Sequence, residues 1–240
     1  MDFQGKFALV TGTSQGIGRD TARLLAQGGA AVACVDMNEE GLVTLRDELT
    51  QYGHPVLTYT CDVSDEARVR EIAADVLAKW GRLDILINNA GLWRCDIMPF
   101  VESTPAMWKR KIDVNIYGVM YFCHAFLPSM LEHKYGVIVN IASVAGMYGN
   151  ANMADYSLTK GGVIAFSKAL AREVADKGIR VNAMSPGNIS NVRLDHSTLS
   201  YMDRSGDPVE CARLICFMAS DEASWLSGEN YVADGCRRKI

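Results

Sequence analysis

Little in this sequence points outside a cell. Its seven cysteines (Cys34, Cys61, Cys95, Cys123, Cys211, Cys216 and Cys236) include no C-x-x-C pair, so neither the common zinc spacings nor a redox motif is available and no metal is expected. An odd cysteine count, with no secretion signal in Met1-Asp2-Phe3-Gln4-Gly5-Lys6, fits a reducing cytoplasm. No apolar run approaches membrane-spanning length, so no membrane partner is expected. Basic residues number 24 against 28 acidic, for a net charge of -4; without a basic excess, nucleic acid is not an expected partner either. Repeats, low-complexity tracts and linkers are also missing. What remains is 240 residues, 49% of them hydrophobic, enough for one sizeable core and read as one domain over residues 1–240.

The chain alternates between apolar runs and amphipathic stretches. Lys6 to Val10 is a short apolar run that ends at Thr11-Gly12-Thr13-Ser14-Gln15-Gly16-Ile17-Gly18, and a helical pattern follows. Glycines between a strand and a helix let the backbone approach a pyrophosphate, and free N–H groups at the helix start attract its charge. Ala31 to Val35 is a second strand run, closed by Asp36, which stands 18 positions after Gly18. An acidic residue there is placed to accept hydrogen bonds from an adenosine ribose and to repel a 2′-phosphate, which favours NAD over NADP. Its plainer alternative is a cap for the helix starting at Asn38.

Further strands are expected at Val56–Cys61, Leu83–Ile87, Val137–Ala142, Ile179–Ala183 and Asn230–Ala233. A helix capped by Ser64-Asp65-Glu66 runs to about Trp80. One long helix starts at Thr104-Pro105, and another carries Tyr156 and extends to about Lys177. Strands apolar throughout and alternating with helices indicate a parallel sheet covered on both faces. Ligands on such sheets bind beyond the carboxyl ends of the strands, and Gly12, Asp36, Asp62, Asn89 and Ser143 all fall at such ends. Tyr156 and Lys160 lie four residues apart on one helix, hence on one face, where an ammonium favours phenolate. Tyr-x-x-x-Lys alone is a common chance pattern; its company decides its meaning.

That company is TGTSQGIG at residues 11–18, Asp62-Val63, Asn88-Asn89-Ala90-Gly91, Asn115, Ser143, Tyr156-x-x-x-Lys160 and Pro186-Gly187. Together, in this order, these motifs resemble the main single-domain branch of the short-chain dehydrogenase/reductase family over essentially the whole chain. The resemblance implies an α/β fold: a Rossmann-type doubly wound parallel sheet of about seven strands, with helices on both faces. It implies an NAD-dependent oxidoreductase that interconverts a secondary alcohol and a ketone, and a homo-oligomer, tetramer or dimer.

Carried over by position, Tyr156 is the general acid/base, Lys160 lowers its pKa and holds the nicotinamide ribose, Ser143 orients the substrate oxygen, and Asn115 holds a water that links Lys160 to solvent. The cofactor is held by Gly12, Ser14, Gln15, Gly16, Ile17, Gly18, Asp36, Asp62, Val63, Asn89, Ala90, Gly91, Tyr156, Lys160, Pro186, Gly187 and Ile189.

Two departures stand out. A threonine common a few residues after Pro-Gly in the family is absent, so Ser190 or Asn191 would replace it. The substrate lid, residues 188–206, is short. The basic end Cys236-Arg237-Arg238-Lys239-Ile240 has no explanation at this level. Substrate-pocket candidates are Trp93, Arg94, Asp96, Met147, Tyr148, Asn150 and Met153, an apolar wall suited to a cyclic or steroid-like molecule unless the methionines only fill core gaps. Two other functions stay open: a 3-oxoacyl thioester reductase, against which Asp36 and the acidic pI count, and a dinucleotide-binding sensor or scaffold without catalysis.

Overall fold

Small and β-branched apolar runs pair into strands, and the intervening amphipathic segments close over them. The computed structural model describes residues 1–93, 97–192 and 194–238. In chain order its elements are β1 (Phe7–Thr11), α1 (Gly16–Gln27), β2 (Ala31–Asp36), α2 (Glu39–Thr50), β3 (Val56–Thr60), α3 (Glu66–Trp80), β4 (Ile85–Asn88), α4 (Pro105–Ile112), α5 (Gly118–His133), β5 (Gly136–Ile141), α6 (Ala145–Tyr148), α7 (Ala154–Val174), β6 (Ile179–Pro186), α8 (Pro208–Ala219) and β7 (Asn230–Ala233). The strands form one parallel sheet in the order β3-β2-β1-β4-β5-β6-β7. The chain winds outward from β1 in one direction, then from β4 in the other, and a crevice opens at that switch.

Alternation along each strand feeds two cores. Ala8, Val10, Val32 and Ile85 face Leu25 of α1, Leu42 and Leu45 of α2, and Ile215 and Met218 of α8. Leu9, Ala33, Leu86 and Ile138 face Val69 and Val76 of α3, Phe122 and Phe126 of α5, and Val163 and Leu170 of α7. Each large side chain fully removed from water contributes roughly 1.5–3 kcal/mol, so the two layers hold the strand ends in fixed register.

Caps set the helix starts. Asn38 accepts from Gly41 N–H at 3.0 Å, so it caps α2 and leaves Asp36 free of that duty. Asp65 caps α3 through Arg68 N–H at 3.1 Å. Asp207 and Glu210 form a capping box on α8, with Pro208 in its first turn. Thr104 occupies the cap position of α4 ahead of Pro105, but its side chain makes no capping bond.

The long helix expected after Thr104 is present, Pro105–His133, but changes pitch within its length. Between α4 and α5 lies a five-residue π-turn, Asp113–Tyr117, with Asn115 fully buried at its centre. Single π-turns of this kind widen a helix locally and re-aim a side chain. Counted through the turn, Pro105–His133 spans 29 residues with a mean hydropathy of 1.2 in its most apolar window. By length and composition it could cross a membrane, which corrects the expectation that no run approaches that length. In the fold, Val114, Val119, Phe122, Phe126 and Met130 from this stretch are buried in the core, while Tyr117 and Met120 stay exposed. The helix of Tyr156 ends as α-helix at Val174 and finishes in a 3-10 turn, Ala175–Lys177.

Candidate active site

The turn between β1 and α1 is bare backbone by necessity. Gly12 has φ +71°, and a Cβ there would lie 2.8 Å from both Ala90 Cα and Asn89 Nδ2. A Cβ on Gly18 would lie 2.1 Å from the Gly12 carbonyl oxygen. Asn89 pins the turn from the end of β4, donating to Thr11 O at 3.0 Å and Gly12 O at 2.9 Å. Gln15, at the N-cap of α1, makes no side-chain capping bond, and the first turn carries no acidic residue. Uncapped N–H groups at a positive helix end, beside backbone that no side chain screens, fit the pyrophosphate of a dinucleotide. Asp36, at the end of β2, accepts from Ser14 N–H at 2.8 Å and from Asn38 N–H at 2.9 Å, one bond per carboxylate oxygen. The nearest basic groups on α1 are already paired: Arg19 and Arg23 both bind Glu48.

Across the crevice, Asp62 follows β3. Burial pushes its carboxyl up, but the Ser64 N–H and hydroxyl and the Arg110 guanidinium outweigh that and hold it below the usual carboxylate range. Asp62 and Arg110 line a cavity of about 660 Å³ with Gly12, Ser14, Gln15, Gly16, Ile17, Asp36, Val63, Asn89, Ala90, Gly91 and Ile189 in its walls.

A second cavity, about 630 Å³, contains Ser143, Tyr156, Lys160, Pro186 and Gly187, along with Trp93, Asn150 and Met153. Ile17, Asn89, Gly91, Trp93, Asn188 and Ile189 line both. Ser143 follows the buried strand β5; its hydroxyl oxygen accepts the Ala145 N–H at 3.2 Å and faces Tyr156 in the same cavity. The short helix α6 packs backbone to backbone on α7: a Cβ on Gly146 would lie 2.4 Å from the Lys160 carbonyl carbon. A buried ion pair fixes the start of α7, with Lys111 Nζ 2.5 Å from Asp155 Oδ2. The other Asp155 oxygen accepts the Tyr156 N–H at 2.7 Å.

Burial raises the Tyr156 pKa above the ordinary tyrosine value of 10, and the Ser143 hydroxyl opposes the shift. Burial alone pulls Lys160 down to about 8. The lowering of Tyr156 by Lys160 expected from their spacing is therefore not what the structure shows. Lys160 Nζ donates to Ile141 O at 2.8 Å and sits 5.9 Å from the centre of the Tyr156 ring, so desolvation of the phenol prevails. Asn115 clamps Leu92 from both sides, accepting its N–H at 2.7 Å and donating to its carbonyl at 2.9 Å, and also donates to Thr159 Oγ1 at 3.1 Å. It and Lys160 close on one point: a Cβ on Gly91 would lie 3.2 Å from Asn115 Oδ1 and 3.2 Å from Lys160 Nζ.

Most sequence candidates thus fall in the two cavities, with Gly18 behind the first and Asn115 buried beneath the second. Met147 and Tyr148 lie outside both linings and are 40% and 57% exposed, so neither is a pocket wall here. The side of α6 at Gly146 is taken up against α7, and the Met147 sulfur instead accepts from Asn230 Nδ2 of β7 at 3.2 Å. Arg94 and Asp96 lie outside the described residues.

Ser190 and Asn191, the alternatives for the missing threonine, line the first cavity. The stretch expected to form the lid folds back on itself through pairings of Ile189 with Gly206 and Asp195 with Arg204. Its near end walls the first cavity and Leu199 walls the second. Residues to which the sequence assigned no role are Arg110 and the Lys111–Asp155 pair, together with Arg237, noted only as part of an unexplained basic stretch, and Leu199, covered only by the expected lid. Asp155, an acid in the first turn of α7, also offered a local signal.

Known proteins share this architecture. Residues 6–200 match the family described as short chain dehydrogenase. The 3-oxoacyl-acyl-carrier-protein reductase of Thermotoga maritima is 37% identical over 244 residues, covering 98% of each chain. The 2-dehydro-3-deoxy-L-rhamnonate dehydrogenase (NAD(+)) of a Sphingomonas species is 39% identical over 245 residues, 98% of this chain and 96% of that one. The crystal structure of NAD+-bound xylitol dehydrogenase superimposes with a TM-score of 0.91 at 32% identity, covering 98% of this chain and 100% of that one. Sequence, sheet order and crevice agree, and the chain belongs to the short chain dehydrogenase family of oxidoreductases.

Proposed function

We propose that this protein is an NAD(H)-dependent oxidoreductase that interconverts a secondary alcohol and a ketone. The observation that carries this is the placement of Ser143, Tyr156 and Lys160 in one cavity that shares a wall with the glycine-turn cavity. A bound nicotinamide dinucleotide supplies or takes up the hydride. The chain's own residues do the rest. The Gly12–Gly16 turn and the uncapped start of α1 hold the pyrophosphate, Asp36 holds the adenosine ribose, Asp62 and Val63 border the adenine end, and Pro186, Gly187 and Ile189 border the nicotinamide.

Lys160 binds ribose hydroxyls. Ser143 Oγ donates a hydrogen bond to the substrate oxygen and orients it. In reduction Tyr156 Oη delivers a proton to that oxygen, and in oxidation it accepts the hydroxyl proton. Asn115 positions the Leu92 backbone and Thr159 beside Lys160, where a water could pass protons outward. Trp93 and Met153 give the pocket an apolar wall for a cyclic substrate.

A spectrophotometric panel tests this directly. NADH oxidation should be seen with at least some simple or cyclic ketones, and a protein that binds NADH but turns over none of them would not be a dehydrogenase. Reduction of a 3-oxoacyl thioester is a second reading, favoured by the 37% identity to the Thermotoga enzyme; acetoacetyl-CoA in the same panel separates the two.

Asp36 supplies a sharper check on the cofactor. Asp36→Asn keeps an acceptor for the Ser14 N–H but removes the charge facing the ribose. The NAD-over-NADP ratio of kcat/KM should fall by about 10- to 100-fold, the size of a hydrogen bond to a charged group; an unchanged ratio would remove Asp36 from cofactor choice. The same proposal places the protein in the cytoplasm, supported by buried free thiols at Cys34, Cys123, Cys211 and Cys216. It also takes the protein to be a homo-oligomer, supported by the exposed Tyr117 and Met120 along one helical stretch.

A further inference from the structure

From Gly235 to Arg238 the chain turns back toward the second cavity, which Arg237 lines. After β7, Gly235 and Cys236 both adopt positive φ, 64° and 59°, and reverse the chain. The tail then pairs antiparallel with the lid: Tyr201 N–H donates to Cys236 O at 2.9 Å, Met202 N–H to Gly235 O at 3.2 Å, and Arg238 N–H to Leu199 O at 3.0 Å. Strand-like pairing sends successive side chains to opposite sides. Arg238 stacks over the Tyr201 ring, 5.1 Å from its centre, and Arg237 enters the cavity wall. Its Nη2 donates to Asn150 Oδ1 at 3.2 Å. Asn150 is itself tied to the catalytic helix, since its N–H donates to Ser157 Oγ at 3.1 Å, one residue after Tyr156.

That bond uses one of five guanidinium N–H donors. The described lining of the cavity contains two cations, Lys160 and Arg237, and no carboxylate. Lys160 is committed to the catalytic end by its bond to Ile141 O. A half-buried guanidinium whose bonded partner is a neutral amide, in a cavity without an acid, favours an anionic group that can take two parallel bonds.

We propose that Arg237 selects substrates carrying a carboxylate in addition to the reacting carbonyl or hydroxyl group. This rests on the dehydrogenase reading above and narrows its substrate class to oxo acids and hydroxy acids. Ser143 and Tyr156 hold the reacting oxygen; Arg237 holds the distal carboxylate and so fixes which way round the molecule lies.

The test compares matched pairs: 3-oxobutanoate, 4-oxopentanoate and 5-oxohexanoate against their methyl esters. Wild type should favour at least one acid over its ester by on the order of 10- to 100-fold in kcat/KM. Arg237→Met should abolish that preference through KM for the acid, with ester turnover and NADH affinity changed less than about threefold. Asn150→Asp, which sets a carboxylate on the guanidinium without removing it, should also weaken the acid preference.

Calorimetric titration of 4-oxopentanoate into the protein–NADH complex gives a readout without turnover, and binding should weaken in both variants. Ester turnover without acid preference in wild type overturns the assignment of Arg237 and leaves the dehydrogenase intact. Equal loss toward acids, esters and NADH in Arg237→Met, with the acid preference kept in Asn150→Asp, makes Arg237 a staple for the tail and overturns it as well. Arg237-dependent acid binding without turnover of any ketone supports Arg237 and overturns the dehydrogenase. Neither binding nor turnover overturns both.

Discussion

Tyr156→Phe should lower kcat by roughly 10²- to 10⁴-fold, the usual contribution of a positioned acid or base, while NADH binding measured by fluorescence stays within a few-fold of wild type. The ring keeps its place, because phenylalanine fills the same nearly buried volume in α7 and only the hydroxyl is lost. A proportional loss of NADH affinity would instead make Tyr156 a cofactor contact. The direction of its pKa adds a second measurement. Burial keeps the phenol protonated at neutral pH, above its ordinary value of 10. In ketone reduction the acid form is the active one, so the rate should hold level through neutral pH up to about 8, where Lys160 sheds its own proton. Alcohol oxidation needs the phenolate, so its rate should climb with pH over the same window and still be rising at the alkaline end. An oxidation rate already level at pH 7 would contradict this assignment of the proton.

Lys160→Met should remove most activity and yet stabilise the fold. The wild-type ammonium is 4% exposed, and burial pulls its pKa down to about 8, against about 10.4 in an unfolded chain. Between those values the unfolded chain holds more protons, so wild-type stability climbs as pH rises through that window. Below pH 8 both forms are protonated and the full penalty for burying the cation stands, on the order of 3 kcal/mol.

Methionine removes that penalty but leaves the Ile141 carbonyl without its donor, a cost of about 1 kcal/mol. The remaining 2 kcal/mol or so should raise Tm at pH 7 by roughly 4–8 °C. The gain should shrink as pH rises from about 8 toward about 10.4, a window in which folded wild type has already shed the proton and no longer buries a cation. A fall in Tm at pH 7 would show that the ammonium is already compensated, and activity retained within about tenfold would show that it is dispensable. The result expected is an opposition between stability and function located in a single atom.

The two positions differ in how far the sequence reveals them. Tyr156 and Lys160 were visible because a four-residue spacing survives translation into a helix face, and because Ser143 ends a strand whose apolar run is continuous. The crevice was visible for the same reason: Gly12, Asp36, Asp62 and Asn89 each terminate an apolar run, and strand ends in a parallel sheet lie together. The π-turn at Asn115 was not, since Asp113-Val114-Asn115-Ile116 reads like the helix on either side and the extra residue is absorbed by packing. Met147 and Tyr148 misled because nearness to Ser143 along the chain does not say which side of a four-residue helix faces inward. Arg110 and Arg237 were hidden by distance, their partners Asp62 and Asn150 lying 48 and 87 residues away. The folding of a tail onto a lid depends on two consecutive left-handed residues, one of them a cysteine, that no local pattern announces.

Gly146 stands against the Lys160 backbone with no room for a side chain, so the proton-transfer geometry is fastened from within the framework. Other walls of the cavity around Lys160 come from Trp93, Leu199 and Arg237, in segments after β4, after β6 and after β7, and on the proposed assignment these choose the molecule. Reacting groups and cavity walls thus sit on different parts of the chain. On that assignment, exchanging the three peripheral segments should change the substrate accepted while the reacting groups stay as they are.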